Sequence, residues 1–165
     1  AGTSAVESDL IESNFPVHKV GRGGKYTYHG PGQRIAYFML ELKNHYNPPD
    51  LKKFVCDLEQ WVIDSLKDVG VESFRRSGRV GIWCLDKKGN EAKIAAIGIR
   101  VRKWVSFHGV SININPDLSH FSGIIPCGIP EFGVTSLKEL GIDISMNDFD
   151  KVLEKNIKFH NFKKA

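Results

Sequence analysis

Three apolar runs of strand length follow one another closely in the middle of the chain: Val80–Leu85, Ile94–Val101 and Phe107–Ile114. The first two are joined by Asp86-Lys87-Lys88-Gly89-Asn90, a turn-rich link too short for a crossover helix, so the spacing predicts an antiparallel meander. In the third run Val110, Ile112 and Ile114 alternate with Ser111, Asn113 and Asn115. One face therefore belongs to a core, and the other to water or a polar site. Upstream, Asp50 is an N-cap residue for Leu51, Phe54, Val55, Leu58, Trp61, Val62, Leu66 and Val69, which recur at helical spacing until Gly70 stops the helix. Strands are also expected at Pro16–Val20 and Ile35–Leu42, a short helix at Ser136–Leu140, and a last helix at Asn147–Phe159 with Phe149, Val152, Leu153 and Ile157 on one stripe. This order lacks regular βαβ alternation, which places the fold in the α+β class.

Composition narrows the reading further. A chain of 165 residues with 41% hydrophobic and 25% charged residues suits one globular domain, residues 1–165, and excludes disorder. No apolar run nears the ~20 residues of a membrane helix, and no basic-then-apolar leader is read at the start, so a cytoplasmic protein with no membrane partner is expected. Cys56, Cys84 and Cys127 are odd in number and form no C-x-x-C pair, so neither a disulfide framework nor a zinc knuckle is indicated. A net charge of +4 is mildly basic and falls short of a nucleic-acid binder.

Chemistry concentrates in three places. Arg22 to Gln33 packs five Gly or Pro residues, three basic or imidazole groups and three hydroxyls into twelve positions. Missing Cβ atoms there let main-chain N–H groups approach a ligand, although a tight turn with basic decoration would look the same. The spacing fits neither standard phosphate-loop pattern. Lys93 opens a strand in which parity groups it with Ala95, Ile97, Ile99 and Val101, facing an apolar wall, and opposite Arg100 and Arg102. A desolvated amine of that kind suits proton transfer, whereas a strand-end lysine more commonly reaches back to solvent. Cys127 is framed by Pro126 and Gly128, which fixes the thiol and leaves access on one side, as a nucleophile requires; an inert buried cysteine is the alternative. Cys56 and Cys84 fit that inert description. His29 and His108 are candidate ligands or acid/base groups, but no His or carboxylate cluster accompanies them, so no metal is expected.

The blocks RGGKYTYHGPGQ (22–33), KIAAIG (93–98), HGVSININ (108–115), PCGI (126–129) and VTSL (134–137), in this order, closely resemble the octanoyltransferase family, also called lipoate-protein ligase B. The resemblance covers residues 15–141. It implies the α+β catalytic fold of biotin and lipoate ligases, a mixed, largely antiparallel sheet flanked by helices. It further implies an acyltransferase that moves an octanoyl group from octanoylated acyl carrier protein to a lysine of lipoyl domains, those of 2-oxoacid dehydrogenase complexes and of the glycine cleavage H protein. On this resemblance Cys127 matches the acyl-accepting cysteine and Lys93 its partner. Arg22, Gly23, Gly24, Lys25, Tyr26, Thr27, Tyr28 and His29 match the substrate-binding loop, together with Ala96, Ile97 and Gly98 and with Gly109, Val110 and Ser111. No cofactor is implied, because exchange between thioesters is nearly isoenergetic and aminolysis of a thioester runs downhill.

On this resemblance the additional strand and helix with which family members usually begin are expected to be absent from residues 1–165. Small residues Ala95, Ala96, Gly98 and Gly109 are expected to leave a slot for the alkyl chain. The rival readings are an ATP-dependent lipoate or biotin ligase of the same superfamily, which would not need Cys127, and a non-enzymatic basic binding module.

Overall fold

The computed structural model describes residues 1–12, 15–125 and 132–158. Its centre is the expected meander, with β3 (Arg79–Leu85), β4 (Glu91–Arg102) and β5 (Val105–Asn113) pairing antiparallel in sequence order. The Asp86 carboxylate caps the β3–β4 turn by accepting from the backbone N–H groups of Lys88 and Asn90, both at 2.8 Å. The β4–β5 link is the two-residue loop Lys103-Trp104, both at positive φ, as a tight hairpin turn of matching twist requires. Two outer strands widen the sheet: β1 (Gln33–Tyr37) on β5 and β2 (Ser73–Arg76) on β3. A two-residue strand, β6 (Gly133–Val134), adds a parallel pairing at Ala92 and Lys93.

Both main helices follow their sequence signals. In α1 (Leu51–Asp68) the Asp50 carboxylate accepts from the Lys53 N–H at 2.9 Å, and Gly70 takes the left-handed φ of +86° that ends the helix. In α2 (Met146–Asn156) Ser145 caps the Asp148 N–H. The stripes Phe54, Leu58, Val62 and Leu66 of α1 and Phe149 and Leu153 of α2 are buried against Ile82, Cys84, Ile94, Val110 and Ile112 of the sheet. The Trp61 indole N–H donates to the Leu153 carbonyl at 2.8 Å and locks the two helices together. All of the helical mass thus lies on one face of the sheet. The other face is covered by the described residues of 1–32, among which a short 3₁₀ turn at Glu7–Asp9 is the one helical element.

Several local expectations change. Pro16–Val20 is not a strand. Its Val20 N–H donates to the Ala1 carbonyl and its His18 carbonyl accepts from the terminal ammonium, so it lies along the start of the chain with no sheet neighbour. The run Ile35–Leu42 is a regular strand only as far as Tyr37; beyond it the chain still follows β5, with the Phe38 N–H donating to the His108 carbonyl and Glu41 bridging Val105, until Leu42 enters a 3₁₀ turn. Ser136–Leu140 is one hydrogen-bonded turn, Leu140 N–H to Ser136 carbonyl, ended by Gly141 at φ +90°. The final helix begins at Met146, one residue earlier than expected, and ends at Asn156. Strand β2 had no alternating pattern to reveal it, because Arg75 and Arg76 end it.

Candidate active site

On β5 the residues Gly109, Ser111 and Asn113 sit across from Tyr37, Ile35 and Gln33 of β1, while Ser111 and Gly109 also pair with Ala96 and Gly98 of β4. Pairing keeps opposite residues on one face, so these positions pave the side of the sheet that α1 and α2 leave uncovered. A cavity of about 460 Å³ opens there, a size that accommodates a small ligand. Its opposite walls are Phe15–Val20 and the glycine-rich segment, with Phe121 and Ile124 from the 3₁₀ turn at Leu118–Gly123 and the residues just after it. This accounts for the failed strand at 16–20: its Val17 and Val20 line the cavity instead of entering the core.

The glycine-rich segment is held at both edges. The Gly23 N–H donates to the Ile99 carbonyl at 3.0 Å, on the part of β4 that β3 does not reach. Lys25 pairs with Asp9 at 2.8 Å; Asp9 is 4% exposed, and it also accepts from the Val6 N–H. The Lys25 hydrogen bond, then the backbone one, holds the Asp9 carboxyl below the usual carboxylate range. The Tyr28 hydroxyl lies 2.9 Å from His120 Nδ1, and the two rings meet edge to face. Gln33 accepts from the Gly30 N–H and donates to Asn113, whose own amide donates to the Thr135 carbonyl. Desolvation holds the His29 imidazole below its ordinary value, outweighing the opposing hydrogen bond to the Tyr28 carbonyl, and the nearby Arg22 charge adds to the lowering.

Arg22, Gly24, Lys25, Tyr26, Thr27, Tyr28, His29, Lys93, Ala96, Ile97, Gly98, Gly109, Val110 and Ser111 all line this one cavity. Gly23 stands behind the wall and fastens it to β4. Cys127 lies outside the described residues; Ile124 and Val134, on either side of it in the chain, both line the cavity. His108 lines it as well, at φ +65°. Among the described residues no cluster of three His, Cys, Asp or Glu side chains could hold a metal ion. No described helix is long and apolar enough to cross a membrane.

Three readings of single residues are corrected. Simple alternation put Lys93 on the face of Ala95 and Ile97, but Trp83 pairs with Lys93 while its neighbour Ile82 pairs with Ala95. Strand β4 therefore carries one extra residue, a bulge that turns Lys93 to the cavity side. There its Nζ lies 5.1 Å from the centre of the Trp83 ring, and Ala95 and Ile97 pack with the core. Gly98 and Gly109 do not leave an open slot: a Cβ on Gly98 would come within 2.9 Å of Arg22 Cδ, and one on Gly109 within 1.9 Å of the Ala36 carbonyl oxygen. They permit close packing of protein on protein. Cys56, read as an inert buried thiol, is exposed on α1, whereas Cys84 is buried as that reading has it, and burial pushes its thiol up to about 11. Asp9 and His120 went unnoticed in the sequence, since a lone Asp and a lone His carry no periodic signal.

The chain matches the lipoyl protein ligase A/B catalytic domain over residues 5–158. Among solved structures it is similar to a bipartite lipoate protein ligase from Thermoplasma acidophilum, with a TM-score of 0.67 at 16% identity over 94% of this chain and 64% of that one. It is also similar to a lipoate-protein ligase A bound with ATP, with a TM-score of 0.65 at 17% identity over 94% of this chain and 65% of that one. At these identities the likeness concerns the fold, and the chain spans just under two thirds of both proteins. Sequence relatives are much nearer. An octanoyltransferase of Cereibacter sphaeroides is 56% identical over 162 residues, covering 93% of this chain and 73% of the relative. Those of Zymomonas mobilis and Wolbachia pipientis are 56% and 50% identical, over 93% and 97% of this chain and 70% and 76% of theirs. The chain belongs to the octanoyltransferase family. Octanoyltransferases are acyltransferases of lipoate biosynthesis, and the sheet flanked by helices is the lipoate ligase catalytic fold that the five sequence blocks implied.

Proposed function

We propose that this octanoyltransferase takes its octanoyl group from acyl carrier protein and delivers it to a lysine of lipoyl domains through a thioester on Cys127. Lipoyl domains of 2-oxoacid dehydrogenase complexes and the glycine cleavage H protein are the acceptors on this reading. The observation that carries it is convergence: Lys93 and three separate glycine-bearing segments meet at a single cavity, whose lining continues to Ile124 and Val134 on both sides of Cys127. The archaeal ligase of the same fold is described together with its E2 lipoyl domain, which supports an acceptor of that kind.

In the first half-reaction the Cys127 thiolate attacks the donor's thioester carbonyl; the C–S bond to the carrier breaks, and the carrier thiol leaves with a proton. In the second, the acceptor amine attacks the Cys127 thioester, a C–N bond forms, and the thiolate is regenerated. Lys93 gives and takes the proton. A cation about 4 Å from a thiolate contributes roughly 4 kcal/mol at an effective dielectric near 20, enough to favour the ionised sulfur near neutral pH. Each methylene of the chain buried in the cavity adds about 0.8 kcal/mol.

Intact-mass measurement after incubation with octanoyl carrier protein tests the proposal. An octanoyl adduct removed by hydroxylamine, seen in the wild type and missing in Cys127→Ser, is the expected result. Absence of an adduct together with ATP–pyrophosphate exchange would overturn it in favour of an adenylating ligase. Lys93→Ala should slow acylation and move its pH optimum upward; an unchanged profile removes Lys93 from the chemistry.

A further inference from the structure

The Lys93 ammonium reaches its place through a gap in β3 that no side chain occupies. Nζ donates to the Val80 carbonyl at 2.9 Å, and the next residue is Gly81. A Cβ built on Gly81 would stand 2.5 Å from Lys93 Cε, 3.0 Å from Lys93 Nζ and 2.7 Å from the Ala95 carbonyl oxygen. Gly81 also has φ +125°, a conformation that side chains of L-residues rarely adopt. Its N–H donates to Glu59 Oε1 at 3.2 Å, and Glu59, only 7% exposed on α1, is held at its other oxygen by Arg75 Nε at 3.1 Å. A carboxylate buried under the helix thus clamps the backbone of the one residue whose missing side chain makes room for the lysine. The clamp sits beside the β4 bulge that turned Lys93 to the cavity.

We propose that Gly81 and Glu59 are positioning residues for Lys93: the glycine opens the channel, and the carboxylate fixes the peptide that aims the Val80 carbonyl at Nζ. The functional part of this inference rests on the proton-transfer role given to Lys93 above. A group that sets the geometry of a reacting side chain is felt in rate more than in substrate affinity, and a displacement of about 1 Å costs about 10²-fold.

The test combines kinetics with a spectroscopic reading of Lys93 itself. Gly81→Ala should slow acylation by octanoyl carrier protein about 10²-fold, and Glu59→Ala about tenfold, with donor KM within about twofold. Glu59→Gln keeps an acceptor for the Gly81 N–H and should restore most of the rate. In a Lys93→Ala background neither change should cost anything more, because residues acting through one partner are not additive. In protein labelled with ¹³C-lysine, the Lys93 Cε resonance should move in Gly81→Ala and Glu59→Ala and stay in place in Glu59→Gln. An unmoved resonance, or a full further loss in the Lys93→Ala background, overturns the proposal. If the wild type forms no acyl adduct, the transferase mechanism fails while the resonance still decides the positioning. Should Gly81→Ala not fold, the Glu59 pair decides alone.

Discussion

Asp9 is buried although Val6, Glu7 and Ser8 immediately before it are exposed. Its side chain ties Lys25 of the glycine-rich segment to the amino-terminal turn, and its carbonyl accepts from the Ile125 N–H at 2.9 Å, two residues before Cys127. One buried residue, through its carboxylate on one side and its main-chain carbonyl on the other, thereby joins two walls of the cavity. Because the folded state lowers its pKa, Asp9 contributes stability above the unfolded value of about 3.9, and that contribution disappears as pH falls through the lower, folded value. Asp9→Asn should therefore be less stable than wild type at pH 7, and the gap in urea midpoint should close as pH drops below about 4. A gap of constant size down to the lowest pH at which both fold would count against the pairing.

At the scale of elements, α1 carries the largest share of the core, and its signal was complete in the sequence: a capping Asp, a stripe at helical spacing, a terminal glycine. Leu58 is fully buried on that stripe. Leu58→Ala should cost about 2–5 kcal/mol by chemical denaturation, with little change in m-value, and a loss below about 0.5 kcal/mol would mean that the helix packs differently. Strand β4 teaches the opposite lesson. Its boundaries were legible to within a few residues, yet alternation placed Lys93 on the wrong face, because a bulge adds a residue without leaving a mark in the hydrophobic pattern. Residues 16–20 show a related ambiguity: the same apolar side chains suit a core strand or a cavity wall.

At the scale of the whole molecule, the sheet separates a tightly packed side from a side built of irregular chain. The helical side has a continuous apolar cluster, whereas the described residues of 1–32 are tied to the sheet by scattered contacts such as Gly23 to Ile99 and to one another by the Asp9–Lys25 pair. Local opening follows local packing. Native-state hydrogen exchange should accordingly show the amides of Ile94, Ile112 and Leu58 exchanging last and those of Val17 to Val20 among the first. The reverse order would show that the cavity layer, and not the helical core, is the most stable unit. An acyl chain bound in the cavity should slow the early group selectively.

The sequence by itself determined the α+β class, the meander, both long helices and, through five ordered blocks, the membership of a family; all of these depend on local spacing or on residue identity, which are read along one dimension. Only the tertiary structure decided that the glycine-rich segment, KIAAIG and HGVSININ enclose one cavity, that Lys93 faces it, and that Gly81 and Glu59 stand behind the lysine. Those facts depend on strand register, on a single inserted residue and on contacts between positions as far apart as Glu59 and Gly81. No local preference encodes them, because each is a consequence of packing the whole chain against itself.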